Sequence, residues 1–145
     1  MEINVYTNRC VSPKLKAPVT LLVDRLVSQL DLDVQFINVI FVRDSEIKHL
    51  HKTYLQQNTV TDVMTFNLSE RGAVEGEIYI GAQRAVDQAR AYNVSANREI
   101  CRLVIHGCLH LAGYTDEDVI NRKKMKRKED ELVNLYCNIL ASRTI

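Results

Sequence analysis

Two imidazoles and a carboxylate fall close together in the segment HGCLHLAGYTD, residues 106–116. His106 and His110 are four residues apart, so on a helix both project from one face on successive turns and reach a single ion. Gly113, just past the last apolar-periodic residue, suits the left-handed position that ends a helix and turns the chain. Asp116 then arrives on the returning loop as a third ligand, with Glu117 and Asp118 as competing carboxylates. Three protein ligands leave a coordination position for water, the arrangement of catalytic rather than structural zinc. Such an ion lowers the pKa of its water and polarises the bond to be cleaved, so hydrolysis is the implied chemistry.

A histidine pair at this spacing is a weak motif alone, since packed helices also carry it. The glycine and the carboxylate after the turn make the pattern more specific. Zinc proteases need Glu directly after the first histidine as general base, and Gly107 stands there, which disfavours a metalloprotease. Two histidines and a carboxylate also match the facial triad of non-haem iron enzymes, a reading that ranks below hydrolytic zinc. Cys108, two residues from each histidine, points to another side of the helix and is expected to pack. No general base can be named.

The run Arg122 to Lys128 holds six basic residues in seven. Helical geometry spreads them around the circumference, which suits a solvated face; the functional reading has Lys123 and Lys124 guiding substrate phosphates toward the ion. Arg84, Arg90 and Arg98 are further surface cations with the same two readings.

The elements that must hold these groups follow from periodicity. Strands are expected over residues 2–6, 35–43, 62–67 and 75–81, the last two joined as a hairpin around Arg71-Gly72. Helices are expected over 18–30, from the Asp44-Ser45 cap to about 56, over 82–92, from the Ser95 cap over 96–111, and from about 118 to 141. The histidines therefore ride on the fourth helix. Strands gathered early and helices late indicate an α+β fold, about four strands covered mainly on one face by helices, with the metal site at the end of a central helix.

Bulk properties narrow the classes. The 145 residues, 46% hydrophobic and 26% charged, suit one globular domain spanning 1–145. A net charge of +1 excludes the global positive field of a dedicated nucleic-acid binder, so any nucleic-acid contact is local. No signal-peptide pattern and no run near 18 apolar residues are present, so a cytoplasmic protein without membrane association is expected. Cys10, Cys101, Cys108 and Cys137 form no CxxC pair and are expected as free thiols.

The segment HGCLHLAGYTD resembles HGxLHLxGYDH, the signature of the YbeY family of small bacterial metal-dependent endoribonucleases. The likeness continues through Thr61-Asp62-Val63-Met64-Thr65-Phe66, Gly76-Glu77-Ile78-Tyr79-Ile80, the Ala85 to Ala89 helix and Ser95 to Glu99, spanning roughly residues 45 to 118. By that resemblance the metal ligands are His106, His110 and Asp116, the last replacing the usual His, with Thr115 replacing the preceding Asp. Carboxylate for imidazole lowers the net charge of the site and weakens the ion as a Lewis acid. The family often carries Arg a few residues before TDV; Leu55 takes that position here, and Gln56 to Thr59 offer no basic replacement. Asp62, Thr65 and Glu77 lie at family-like strand positions and are candidates for substrate contact, as is Arg98.

The resemblance implies a zinc-dependent, single-strand endoribonuclease acting in ribosomal RNA maturation and ribosome quality control, with ribosomal RNA and ribosomal proteins as partners. The alternative is a metal-binding ribosome-assembly protein with little cleavage activity.

Overall fold

The computed structural model describes residues 1–55 and 61–141, with the side chains of 55 and 141 left aside. Leu55 as a side chain and the stretch Gln56 to Thr59, singled out for lacking a basic residue, lie outside the described residues.

Four strands form one sheet: β1 (Glu2–Tyr6), β2 (Val34–Val42), β3 (Val63–Asn67) and β4 (Val74–Gly81), in the order β1-β2-β4-β3. β2 runs parallel to both β1 and β4, while β3 and β4 pair antiparallel as the expected hairpin. The hairpin folds back so that β4, the later strand, docks against β2. That leaves β3 as an edge, with Val63 opposite Ile80 and Phe66 opposite Glu77.

Among the described residues a short 3-10 turn (Pro13–Leu15) and six α-helices accompany the sheet: α1 (Lys16–Gln29), α2 (Asp44–Leu55), α3 (Ala82–Ala91), α4 (Ala96–Leu111), α5 (Val119–Tyr136) and α6 (Asn138–Ala141). The principal core lies on one face of the sheet, where Leu22, Val23 and Leu26 of α1 and Ile100, Leu103, Val104 and Ile105 of α4 meet Ile37, Val39 and Ile78. The opposite face carries a smaller cluster in which Ile47 of α2 packs on Val42 and Met64. Helices thus cover mainly one face, as the pattern implied.

The segment expected as one helix over 118–141 divides at Cys137. Buried Asn97 donates its amide to the Leu140 carbonyl at 2.7 Å, and Leu140 is wholly buried. This docking turns the last residues inward, a tertiary preference that local helix propensity does not encode. Among the described residues no helix is long and apolar enough to cross a membrane, and the four cysteines are free thiols.

Candidate metal centre

α4 begins at Ser95, whose hydroxyl accepts from the Arg98 N–H at 3.1 Å, and ends one residue before Gly113, at φ +98°. Between these caps, Gly107 faces the sheet: a Cβ there would lie 2.8 Å from Ile78 side-chain atoms. The glycine therefore lets α4 sit close on β4. It also aims position 107 into the core, so a Glu at that place would not reach the histidines and the helix is turned the wrong way for zinc-protease chemistry. Cys108 is likewise fully buried, and burial pushes its thiol up to about 12; it packs and does not ligate.

A face of α4 about a quarter-turn from Gly107 carries Glu99, Arg102, His106 and His110, spaced three and four residues apart so that they form one polar stripe. The two imidazoles meet edge to face with Nε2 atoms 3.1 Å apart. His110 Nε2 lies 3.9 Å from Asp116 Oδ2, and one donor atom from each of the three residues falls within 4.8 Å of the others. Zinc–nitrogen and zinc–oxygen bonds of about 2.0–2.2 Å place tetrahedral ligand atoms roughly 3.5 Å apart, so the histidines already have that spacing. Asp116, on the exposed turn after α4, needs only a small inward movement. Asp118, the competing carboxylate, is engaged elsewhere: it caps α5 by accepting from the Asn121 N–H at 2.8 Å. The donor set fits a divalent ion.

A residue that the sequence did not single out completes the centre. Glu129 of α5, 2% exposed, accepts from His106 Nδ1 at 2.7 Å. Burial by itself would raise this carboxyl, but the hydrogen bond and charge of His106, with Arg102 and Lys126 nearby, outweigh it and hold the group below the ordinary carboxylate range. An ionised carboxylate only accepts, so Nδ1 carries the proton and Nε2 presents its lone pair to the ligand cluster. Such outer carboxylates fix the tautomer and orientation of metal-binding histidines.

Arg102 ties this partner down. Its guanidinium donates to Glu99 at 2.6 and 2.9 Å, to Glu129 at 3.3 Å and to Gln88 at 3.3 Å, and forms an ion pair with Asp62 at 3.6 Å. Its pKa is raised, chiefly by the Glu99 hydrogen bond. Both signals were present in the sequence: Arg102 shares the helical face of the histidines, and Glu129 falls in line with the buried Met125, Leu132 and Val133 on α5. Only packing shows that the two faces meet.

The centre opens into a cleft of about 280 Å³ along the free edge of β3, lined by His51, Thr61, Asp62, Thr65, Phe66, His106, His110 and Asp116 among others. Asp62 and Thr65 thus line the same cleft as the histidines. Gln88 donates to the Asp62 carboxylate at 3.3 Å, and the buried Thr65 hydroxyl has no hydrogen-bond partner among the described residues. His51, from α2, joins the cleft without any signal in its local sequence.

The remaining candidates lie elsewhere. Glu77 accepts from the Tyr79 hydroxyl at 3.0 Å. Arg98 reaches Cys137 and Asn134, fastening α4 to the end of α5, two turns from His106. Lys124 lines a larger groove of about 430 Å³ with Arg127 and Lys128, behind the 112–115 turn; that groove is bigger than the cleft but gathers none of the three ligands. Lys123 is exposed on α5 and lines neither.

A family model described as Endoribonuclease YbeY matches residues 3–136. The chain is 35% identical over 121 residues to an endoribonuclease YbeY of Amoebophilus asiaticus, which covers 79% of this chain and 82% of that relative. It is 41% identical over 96 residues to an endoribonuclease YbeY of Endomicrobium trichonymphae, covering 66% and 67%. The solution structure of TM1509 from Thermotoga maritima superposes with a TM-score of 0.68 at 35% identity, over 92% of this chain and 87% of that one. A match across nearly the whole sequence, together with the paired histidines at the end of α4, assigns the chain to the YbeY endoribonuclease family.

Proposed function

We propose that the protein is a zinc-dependent endoribonuclease that cuts single-stranded RNA, acting on ribosomal RNA in its maturation and in ribosome quality control. The observation that carries this reading is the convergence of His106, His110 and Asp116 at one side of an open cleft. His106 and His110 would supply two nitrogens and Asp116 one oxygen, a mixed set that suits zinc better than the all-oxygen shells of magnesium or calcium. Bound there, the ion would supply Lewis acidity for phosphodiester hydrolysis.

The protein's own groups prepare that chemistry. Glu129 keeps the His106 proton on Nδ1, and Arg102 holds Glu129 ionised and in place. His110 is kept below its ordinary pKa, first by burial and then by the neighbouring His106, so its nitrogen is unprotonated at neutral pH. Asp62, just before β3, and Thr65 line the same space, where the Asp62 carboxylate would accept from a ribose hydroxyl. Among the described residues no strand pairs with the outer edge of β3, an arrangement that suits a strand passing along it rather than a small molecule enclosed.

The test is metal analysis of carefully purified protein, then incubation with a single-stranded ribosomal RNA fragment and, separately, casein. About one equivalent of zinc and cleavage of RNA alone are expected, both lost in His110→Ala. Full zinc content in that variant, or RNA left intact by zinc-loaded wild type, counts against the reading.

A further inference from the structure

We propose that Arg122 and Lys126 of α5 form a phosphate subsite for the RNA strand, beside the metal centre and reached from the opposite side of His106 and Asp116 to the β3 cleft; the proposal rests on RNA being the substrate. The two cations are four residues apart on a helix and so share a face. They line a depression of about 170 Å³ whose other walls are Arg102, His106, Asp116, Met125 and Glu129. His106 and Asp116 are also walls of the β3 cleft, so the two spaces adjoin, one on each side of those two residues. A strand with one phosphate at the ligand cluster therefore presents a neighbouring phosphate to α5.

Size and charge fit a phosphodiester. The space is smaller than the roughly 300–1,000 Å³ of ordinary ligand pockets, enough for a phosphate group but shallow for a base. Three cations face two carboxylates there, before any ion is counted. Two of the three are already engaged: Arg102 with Glu99 and Glu129, and Lys126 with Glu129 at 3.5 Å and Asp130 at 3.1 Å. Arg122 makes no ion pair within 4.0 Å among the described residues and is exposed, so its planar fork of donors is available to grip a phosphate bidentately. Lys126 is 62% exposed at its side chain and can exchange the surface carboxylate of Asp130 for the ligand. Met125, 2% exposed, anchors the helix between them.

The same geometry sorts the basic run. Lys124, Arg127 and Lys128 face the groove behind the 112–115 turn, where Lys128 pairs with Glu131 at 3.4 Å. Two cations in the run, Arg122 and Lys126, line a space shared with the ligands.

Two double variants of equal charge separate a local subsite from a diffuse field: Arg122→Gln with Lys126→Gln, and Arg127→Gln with Lys128→Gln. Binding of a fluorescent single-stranded RNA to the full zinc-loaded chain is followed from 50 to 300 mM salt, with zinc content and melting temperature as controls. Each phosphate contact to a single strand contributes about 0.7 to the log–log salt slope. The first variant should bind at least tenfold more weakly at 100 mM salt and flatten the slope by roughly one contact or two, with zinc retained; the second should change affinity less than threefold. Arg122→Lys with Lys126 intact should recover part of the loss. Equal losses in the two doubles, or an unchanged slope in the first, overturn the subsite. Cleavage is scored separately, so a wild type that binds RNA with a normal slope but leaves it intact overturns the nuclease reading by itself.

Discussion

The imidazole of His106 and the carboxylate of Glu129, 23 residues apart in the chain, meet at 2.7 Å with Glu129 almost wholly buried. The contact joins α4 to α5 and sets which nitrogen of His106 is free to ligate. Glu129→Gln removes the obligate acceptor while keeping the volume. It should lower zinc affinity by about 10- to 100-fold, read by competition with a chromophoric chelator, with circular dichroism showing a retained fold. Wild-type affinity in a folded Glu129→Gln protein would mean that the contact does not orient the ligand.

Arg102 neutralises two carboxylates that are 1% and 3% exposed at their side chains. Arg102→Ala leaves Glu99 buried without its cation and Glu129 with only Lys126 at 3.5 Å, which should cost on the order of 3 kcal/mol. Urea denaturation of the metal-free protein measures it. A loss under 1 kcal/mol would indicate that water reaches Glu99 and Glu129 once the arginine is gone.

The third ligand can be separated from its neighbour. Asp116→Ala should lose zinc with little change in the stability of the metal-free fold, because the side chain is exposed and its contact with the protein is the 3.9 Å approach to His110. Asp118→Ala should keep zinc and lower the melting temperature slightly through loss of the α5 cap. The reverse pattern in zinc content assigns the ligand to Asp118.

Stability of the metal-free protein should fall as pH drops below about 6.5. Burial, then the charge of His106, holds His110 below its ordinary pKa, so the unfolded chain takes up that proton at a higher pH than the folded one and stability rises with pH across the interval. For Glu129 burial opposes ionisation but His106, Arg102 and Lys126 prevail; its contribution is present above about 4.5 and is lost as pH falls through the lower folded value. Melting temperatures between pH 7.5 and 5 should therefore decline, and His110→Gln should make the decline shallower from 6.5 to 5. An unchanged slope would show that His110 is not responsible.

Gly107→Val forces branched carbons toward Ile78, where even a Cβ lies at 2.8 Å. Overpacking of this kind costs about 1–3 kcal/mol. The histidines on the adjacent face move with the helix, so zinc affinity should fall with stability. A stable, fully zinc-loaded Gly107→Val protein would show that α4 does not depend on close contact with β4.

The clustering of His106, His110 and Asp116 was legible in the sequence because it depends on short-range geometry. A four-residue interval on a capped helix aligns His106 and His110, and Gly113 at φ +98° brings Asp116 back within a few residues. Periodicity likewise carried the strands and helices close to their observed bounds, and the β3–β4 hairpin. Long-range pairing was not legible. Nothing local states that β4 would insert between β2 and β3 and leave β3 as the open edge beside the histidines. Nor does it state that α6 would turn away to bury Leu140, that His51 of α2 would reach the cleft, or that Glu129 would meet His106. These depend on which apolar faces cover one another, a decision made by the whole core at once. A charge run such as 122–128 has no direction until the helix beneath it is docked, and it was the burial of Met125 and Glu129 against α4 that turned Arg122 and Lys126 toward the ligands and the other cations away.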